Sequence, residues 1–140
     1  MTDAAWTVGD VVATGAYPID RETLVRYAGA SGDFNPIHYR DDVARAVGLP
    51  GVLAHGMLTM GLAVQPVVDR FGAAAIRQYG VRFTKPVPVP PEGAVVLDVT
   101  AKVGAVDETG GTLRIDLTAA VDGTVVLGRA QVVVEIGSPA

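Results

Sequence analysis

The stretch GMLTMGLAVQPVVDRF, from Gly56 to Phe71, decides the fold because it predicts a helix with little polar surface. Its apolar side chains surround most of the circumference of a helix, and they are Met57, Met60, Leu62, Ala63, Val67 and Val68. Gly72 follows the stretch as a natural helix terminator. A helix that is apolar nearly all round has to be buried, so the rest of the chain must supply its cover.

A membrane-spanning helix is the main alternative for this part of the chain. No Asp, Glu, Lys or Arg occurs between Ala46 and Val68, and a stretch of that length could cross a bilayer. However, Pro50 and Pro66 would interrupt such a span, and several glycines and polar residues dilute it. We therefore expect a buried helix preceded by a loop, and no membrane insertion.

The second half of the chain changes from a helical period to a period of two. Apolar and polar residues alternate over residues 95–103, 113–121 and 126–134, which is typical of antiparallel strands with one solvated face. Gly110-Gly111 and Asp122-Gly123 mark the turns between these strands. A further strand is expected over residues 75–84, and residues 7–17 are expected to form a short strand or an entry segment. The proline-rich run from Val87 to Pro91 predicts a linker with little ladder bonding.

Two shorter helices are predicted before the apolar one. Asp20 stands at an N-cap position, ahead of Leu24 at the start of a helical spacing. A second run begins at Asp41 and stops at Gly48. Helices followed by a run of antiparallel strands predict an α+β fold, with one sheet wrapped around the apolar helix.

Composition limits the kind of protein that this chain can be. Its 140 residues, of which 49% are hydrophobic, fit one domain over residues 1–140. A net charge of −4, with basic residues scattered along the chain, argues against nucleic-acid binding. There is no cysteine, which excludes disulfides and thiolate nucleophiles. The first residues, MTDAAWTVGD, lack the basic segment of a signal peptide, so we expect a cytoplasmic protein.

The stretch SGDFNPIHYRDD, from Ser31 to Asp42, places an aspartate and a histidine five positions apart. One interpretation is structural, because Asp and Asn cap turns and Asn before Pro favours extended backbone. The other is chemical, because a carboxylate and an imidazole share proton transfer near neutral pH. Pro36 prevents a regular helix across the pair, so Asp33 and His38 can point from an irregular loop at one site.

A second polar segment, Ala54-His55-Gly56-Met57, opens the apolar helix. A helix N-terminus presents unpaired N–H groups, and Gly56 leaves room for a carbonyl oxygen that becomes an oxyanion during reaction. Close helix packing is the competing explanation for this glycine. Together, Asp33, His38 and this N–H site suggest the addition of water across a double bond conjugated to a thioester.

The same part of the sequence could instead form a metal site. Asp33, His38 and His55 have the side-chain types of a site with two histidines and one carboxylate. Nothing in their spacing enforces such a site, and no HExxH-type spacing occurs. We predict no metal and no cofactor.

Three segments of the chain, YAGASGDFNPIHYRDD, GLPGVLAHGMLTMG and VRFTKPVPVP, together resemble the MaoC-like family of R-specific enoyl-thioester hydratases and dehydratases. Within the family they look most like the β subunit of mycobacterial (3R)-hydroxyacyl-carrier-protein dehydratase. The resemblance covers residues 8–134 and implies a hot-dog fold, an antiparallel sheet wrapped around a long central helix.

The resemblance also implies roles for individual residues. Asp33 and His38 would be the catalytic pair that holds one water, with Asn35 as a positioning residue and Gly56 as the oxyanion N–H. Substrate contacts are suggested for four further residues, His55, Met57, Arg82 and Phe83. For the last two, a strand with one exposed cation and one core ring is the better explanation.

The implied reaction is the reversible hydration of trans-2-enoyl thioesters to (3R)-3-hydroxyacyl thioesters in fatty-acid metabolism. The substrate would be carried by CoA or by acyl carrier protein. An acidic carrier would favour a basic rim around the site, for which the candidates are Arg40, Arg82 and Lys85. The family works as homodimers, or as heterodimers with a second hot-dog subunit. Two alternatives stay open: a thioesterase on the same fold, and an acyl-binding subunit that is active only with a partner.

Overall fold

One antiparallel sheet carries the fold in the computed structural model, which describes residues 5–137. The order of its long strands is β1 (Val11–Ile19), β3 (Val95–Asp107), β4 (Thr112–Val121), β6 (Leu127–Glu135) and β2 (Ile76–Phe83). The two-residue strand β5 (Thr124–Val125) pairs with β4. The α-helices are α1 (Arg21–Ser31), α2 (Asp41–Ala46) and α3 (Gly56–Phe71), and short 3₁₀ turns cover Pro36–His38 and Ala73–Ala75.

The alternating pattern of the second half is confirmed in the central strands. One face of β3 and β4 is buried, and its residues are Leu97, Val99, Ala101, Val103, Leu113, Ile115, Leu117 and Ala119. Each buried Leu, Ile or Val side chain contributes roughly 1.5–3 kcal/mol of hydrophobic stabilisation. Asp122 and Gly123 have φ values of 49° and 77°, as a two-residue hairpin between β4 and β5 requires.

The apolar helix α3 lies against the buried face of the sheet and contacts all five long strands. Its bounds, Gly56 to Phe71, are those that the sequence predicts. The prediction that it is buried all round is wrong for the single chain, because the sheet covers only one side. The buried stripe is Thr59, Ala63, Pro66 and Val67, whereas Met57 at the other side is 59% exposed.

Pro66 does not interrupt α3. A proline inside a helix removes one i→i−4 hydrogen bond and costs roughly 3 kcal/mol. Pro66 is one of the buried residues of α3, and the helix continues through it to Phe71. Among residues 5–137, no helix is long and apolar enough to cross a membrane. The cytoplasmic location stays a prediction.

Both shorter helices form where the sequence predicts them. The Asp20 carboxylate accepts a hydrogen bond from the Thr23 amide at 2.8 Å and so caps α1. Asp41, the first residue of α2, is paired with Arg21 at 3.0 Å and also accepts a hydrogen bond from the Val52 amide at 2.9 Å. These contacts hold α1, α2 and the loop before α3 together.

Among residues 5–137, the proline-rich segment pairs through one isolated β-bridge, Leu53–Pro88, so the prediction of little ladder bonding is confirmed. The Ala54 amide donates to the Val87 carbonyl and the Val89 amide donates to the Val52 carbonyl, both at 2.9 Å. Pro88 has no amide to donate, but a single proline between two such bonds leaves the pairing intact. The segment therefore fixes the backbone that leads into α3.

Candidate active site

The turn that carries Asp33 and His38 is built from local hydrogen bonds. The Ser31 hydroxyl accepts from the Asp33 amide, and the Asp33 carboxylate accepts from the Asn35 amide, both at 3.1 Å. The Asn35 side chain accepts from the Ile37 amide at 3.2 Å and caps the 3₁₀ turn that ends at His38. The structural interpretation of this stretch is therefore confirmed, and it leaves the second carboxylate oxygen of Asp33 available.

The two side chains of the motif face each other across a short gap. His38 Nδ1 lies 2.7 Å from the Leu53 carbonyl oxygen, and because a carbonyl only accepts, Nδ1 carries the hydrogen of the neutral ring. His38 Nε2 is then an acceptor, 3.9 Å from Asp33 Oδ2. This distance is too long for a direct hydrogen bond but leaves room for a water bonded to both atoms.

His38 and Gly56 meet in one cavity of about 280 Å³ at the N-terminus of α3. The first amides of a helix have no intrahelical acceptor, and the helix dipole makes this end partly positive. Asp33 is not part of the cavity wall, but it borders His38 there. The wall is formed by His38, Leu53, Ala54, Gly56, Thr59, Phe83, Thr84, Lys85, Pro86, Val87 and Leu127.

Gly56 is also a close-packing position. A Cβ atom at Gly56 would lie 3.1 Å from Cε1 of Phe83, whose ring covers the start of the helix. The packing explanation and the oxyanion explanation for this glycine are therefore compatible. Any side chain at residue 56 would press on the ring that forms one wall of the cavity. The prediction that Phe83 is a core ring is wrong for the single chain, because 56% of the residue is exposed.

Arg82 and Met57 are not brought to this cavity. Arg82 precedes Phe83 in β2, and neighbouring strand residues point to opposite faces. It lines a separate recess of about 370 Å³, together with Arg114 and Arg129. Met57 is exposed and is absent from the cavity wall.

His55 lies behind His38 instead of on the cavity wall. It is 1% exposed, and its ring stacks on that of His38 with the centroids 3.9 Å apart. Burial lowers the pKa of His55, and the neighbouring His38 adds to this effect, whereas the Asp33 peptide and carboxylate oppose it. At neutral pH His55 is therefore an uncharged ring.

The three side chains considered for a metal site do lie close together. One donor atom from each of Asp33, His38 and His55 lies within 4.8 Å of the others. However, the two imidazole planes are stacked at an angle of only 23° with the centroids 3.9 Å apart, so their in-plane lone pairs lie in two nearly parallel, separate planes. An ion bound at about 2.0–2.1 Å needs ring lone pairs that converge on one point. The arrangement favours a stacked pair over a shared ion.

One buried polar residue of the cavity, Thr59, was missed from the sequence. Thr59 is buried and lines the cavity, and it lies three residues after Gly56 on the same face of α3. The spacing of three residues could have indicated from the sequence that Thr59 and Gly56 face the same cavity. Lys85 also lines the cavity, but only the fold of the loop after β2 brings it there.

Comparisons with known proteins agree with this description. The MaoC like domain family matches residues 3–121. A 3-hydroxyacyl-thioester dehydratase X of Mycobacterium tuberculosis is 45% identical over 65 residues, which are 46% of this chain and 22% of that protein. This chain thus matches only about a fifth of that relative's length.

Two solved structures share the fold. A MaoC-like dehydratase superposes with a TM-score of 0.89 at 34% identity, over 94% of this chain and 41% of that one. A chain of the ChsH1–ChsH2 complex from Mycobacterium tuberculosis superposes with a TM-score of 0.80 at 22% identity, over 98% of this chain and all of that one. The hot-dog fold, with an antiparallel sheet around one long helix, is confirmed.

Proposed function

Because the chain belongs to the MaoC like domain family, we propose that it is an R-specific hydro-lyase. It would add water to trans-2-enoyl thioesters to form (3R)-3-hydroxyacyl thioesters, and would catalyse the reverse dehydration. The observation that carries this proposal is the 3.9 Å gap between His38 Nε2 and Asp33 Oδ2, beside the cavity at the start of α3.

The pair would work on one water held in that gap. His38 Nε2 accepts a proton as the water oxygen forms its bond to C3 of the substrate, and Asp33 orients the water through its carboxylate. The electrons of the double bond move towards the thioester carbonyl as an enolate. A proton then reaches C2 from the protonated pair, so one water is consumed and the side chains return to their starting state.

The amide of Gly56 would stabilise the enolate oxygen. Placing the thioester carbonyl at the N-terminus of α3 sets it against free N–H groups and the positive end of the helix dipole. The removal of one such donor costs enzymes roughly 10²–10³ in rate. Gly56 and His38 line the same cavity, so one bound substrate can reach both.

The carrier of the acyl group would be CoA or an acyl carrier protein, both of which bear phosphates. Three cations were candidates for the rim of the site: Arg40, Arg82 and Lys85. Only Lys85 lines the cavity, because Arg40 pairs with Asp42 and Arg82 lies in the separate recess. We propose that Lys85 attracts the anionic carrier.

A second hot-dog subunit would complete the site, either another copy of this chain or a related one. Strand β2 is at the edge of the sheet, and the side of α3 that the sheet does not cover includes the exposed Met57. Phe83, at the cavity wall, is 56% exposed in the single chain. Light scattering of the purified chain, alone and with a co-expressed partner, measures this assembly.

The direct test is the hydration of crotonyl-CoA, followed by the loss of absorbance of the conjugated thioester. Asp33→Asn and His38→Ala should each abolish that loss while circular dichroism stays that of the wild type. Retained activity in both variants contradicts the proposal. Release of a free thiol would instead identify a thioesterase, and binding without turnover in the presence of a partner would identify an acyl-binding subunit.

A further inference from the structure

We propose that His55 is a positioning residue for the Asp33–His38 pair, a buried neutral imidazole that holds the peptide of Asp33 and lies against the ring of His38. Its catalytic consequence rests on the proposed hydro-lyase function. Its placement rests on the contacts of the ring alone. Nothing in this role requires His55 to touch the substrate.

His55 occupies the N-cap position of α3 without capping the helix. An N-cap side chain usually accepts a hydrogen bond from an amide of the first turn. The His55 imidazole makes no such bond, and it is turned into the interior, where 1% of the residue is exposed. The imidazole is therefore free to make its contacts in the interior of the protein instead of at the helix terminus.

The first contact of the ring is with the turn that carries Asp33. His55 Nε2 lies 3.1 Å from the Asp33 carbonyl oxygen, 22 residues away in the sequence. Because a carbonyl only accepts, Nε2 carries the hydrogen and Nδ1 carries the lone pair. Nδ1 is buried and has no hydrogen-bond partner among residues 5–137. The ring thus makes a single hydrogen bond within the described chain, and that bond ties the Asp33 peptide to the start of α3.

The second contact fixes the plane of the His38 ring. The two imidazoles stack with their centroids 3.9 Å apart, and Tyr27 of α1 contacts the His55 ring at 4.7 Å with an interplanar angle of 60°. The hydrogen bond from His38 Nδ1 to the Leu53 carbonyl sets the rotation of His38 within that plane. Together these contacts direct His38 Nε2 towards Asp33.

The charge state of His55 suits this role. Burial is the main cause that lowers its pKa. The titratable groups that face it are Asp33 from the turn, His38 from the 3₁₀ turn and Tyr27 from α1. Two stacked imidazolium rings would repel each other. A His55 that stays neutral lets His38 alone take up a proton during the reaction.

The placement can be tested without any assay of activity. The chain has only two histidines, so heteronuclear NMR of the imidazole nitrogens yields two sets of signals, which His55→Gln assigns. We expect the neutral His55 ring to carry its hydrogen on Nε2, and to take up a proton only below the ordinary pKa of about 6.5 as the pH is lowered. A hydrogen on Nδ1, or protonation at the ordinary value of about 6.5 or above, would overturn the proposal.

The catalytic consequence is tested with two complementary variants. His55→Phe keeps a ring for the stack but loses the N–H, whereas His55→Gln keeps an N–H donor at a similar position. We expect kcat for crotonyl-CoA to fall by roughly 10–100-fold in His55→Phe, with KM within about threefold, because a misplaced catalytic group loses rate more than binding. His55→Gln should recover part of kcat.

Tyr79→Phe is the matched control, because the Tyr79 hydroxyl also donates to a backbone carbonyl, that of Met60, at 2.6 Å. It should lower the melting temperature without changing kcat. An unchanged kcat in His55→Phe, or a loss confined to KM, would overturn the positioning role. If the wild-type chain turns over no enoyl thioester even with its partner, the proposed function fails, and the NMR result still decides the placement of His55.

Discussion

The two polar segments of the site, residues 33–38 and residues 54–57, are built by different means. In the first segment, hydrogen bonds between residues two positions apart shape the turn, and the Asp33 side chain is 49% exposed. In the second, His55 is buried and its partners are far away in the sequence. Local rules therefore determine the turn that bears the carboxylate, whereas tertiary packing determines where that carboxylate and His38 point.

The largest expected effect concerns the coupling of Asp33 and His38. If both hold one water, each of Asp33→Asn and His38→Ala should lower kcat/KM by roughly 10²–10⁴. The double variant should then lose about as much as the more damaging single variant, because residues that act as a unit are not additive. Steady-state kinetics on all three variants measure this. Losses that multiply would mean that the two side chains act independently.

A smaller loss is expected from Gly56→Ala. The added Cβ would lie 3.1 Å from Phe83, so the ring or the helix start must shift in the cavity. We expect kcat to fall by roughly tenfold, a fraction of the effect of losing an oxyanion donor outright. Crotonyl-CoA hydration rates measure the change.

Gly29→Ala in α1 is the control, since Gly29 is not part of the cavity wall and a Cβ there meets nothing within 4 Å. It should raise stability by roughly 0.5–1 kcal/mol and leave kcat unchanged. If Gly56→Ala keeps the wild-type kcat, the N-terminus of α3 does not take part in the rate-limiting chemistry.

Much of this architecture was predictable from the sequence because its signals are local. The capping of α1 by Asp20, the Asp-Gly hairpin and the period of two in β3 and β4 each follow from neighbouring residues. The exact ends of α3 follow from its apolar run and from Gly72. The resemblance supplied the hot-dog fold, which periodicity alone did not establish.

The remaining features depend on contacts between distant segments. Strand alternation separates Arg82 from Phe83, but the sequence offers no means to see which cavity each of them lines, or that Lys85 reaches the one beside His38. The resemblance suggested a substrate contact for His55. Its burial behind His38 depends on packing by Tyr27 and the turn at Asp33.

A moderate effect on stability is expected from Asp41, which braces the loop before α3. The Val52 amide and the Arg21 guanidinium lower the pKa of Asp41. A lowered carboxyl pKa contributes stability above the unfolded value of about 3.9, and this contribution is lost as the pH falls through the folded value. Asp41→Asn should therefore lower the melting temperature by several degrees at pH 7 and by less at pH 3. An equal decrease at both pH values would contradict this assignment.

The smallest effects distinguish two cations near the motif. Arg40 makes an exposed pair with Asp42 and does not line the cavity, so Arg40→Ala should leave both the melting temperature and KM close to those of the wild type. Lys85→Ala should raise KM for crotonyl-CoA by several-fold at low ionic strength, with less effect in high salt. Equal KM values for the two variants would show that Lys85 does not bind the carrier.

A high-resolution crystal structure of the assembled protein near pH 7 tests the pairing of Asp33 and His38 most directly. One ordered water should lie within about 2.6–3.2 Å of both Asp33 Oδ2 and His38 Nε2, on the side of the cavity that Gly56 borders. A carboxylate rotated away from the imidazole, or a gap closed by a direct Asp33–His38 hydrogen bond with no water, would contradict it.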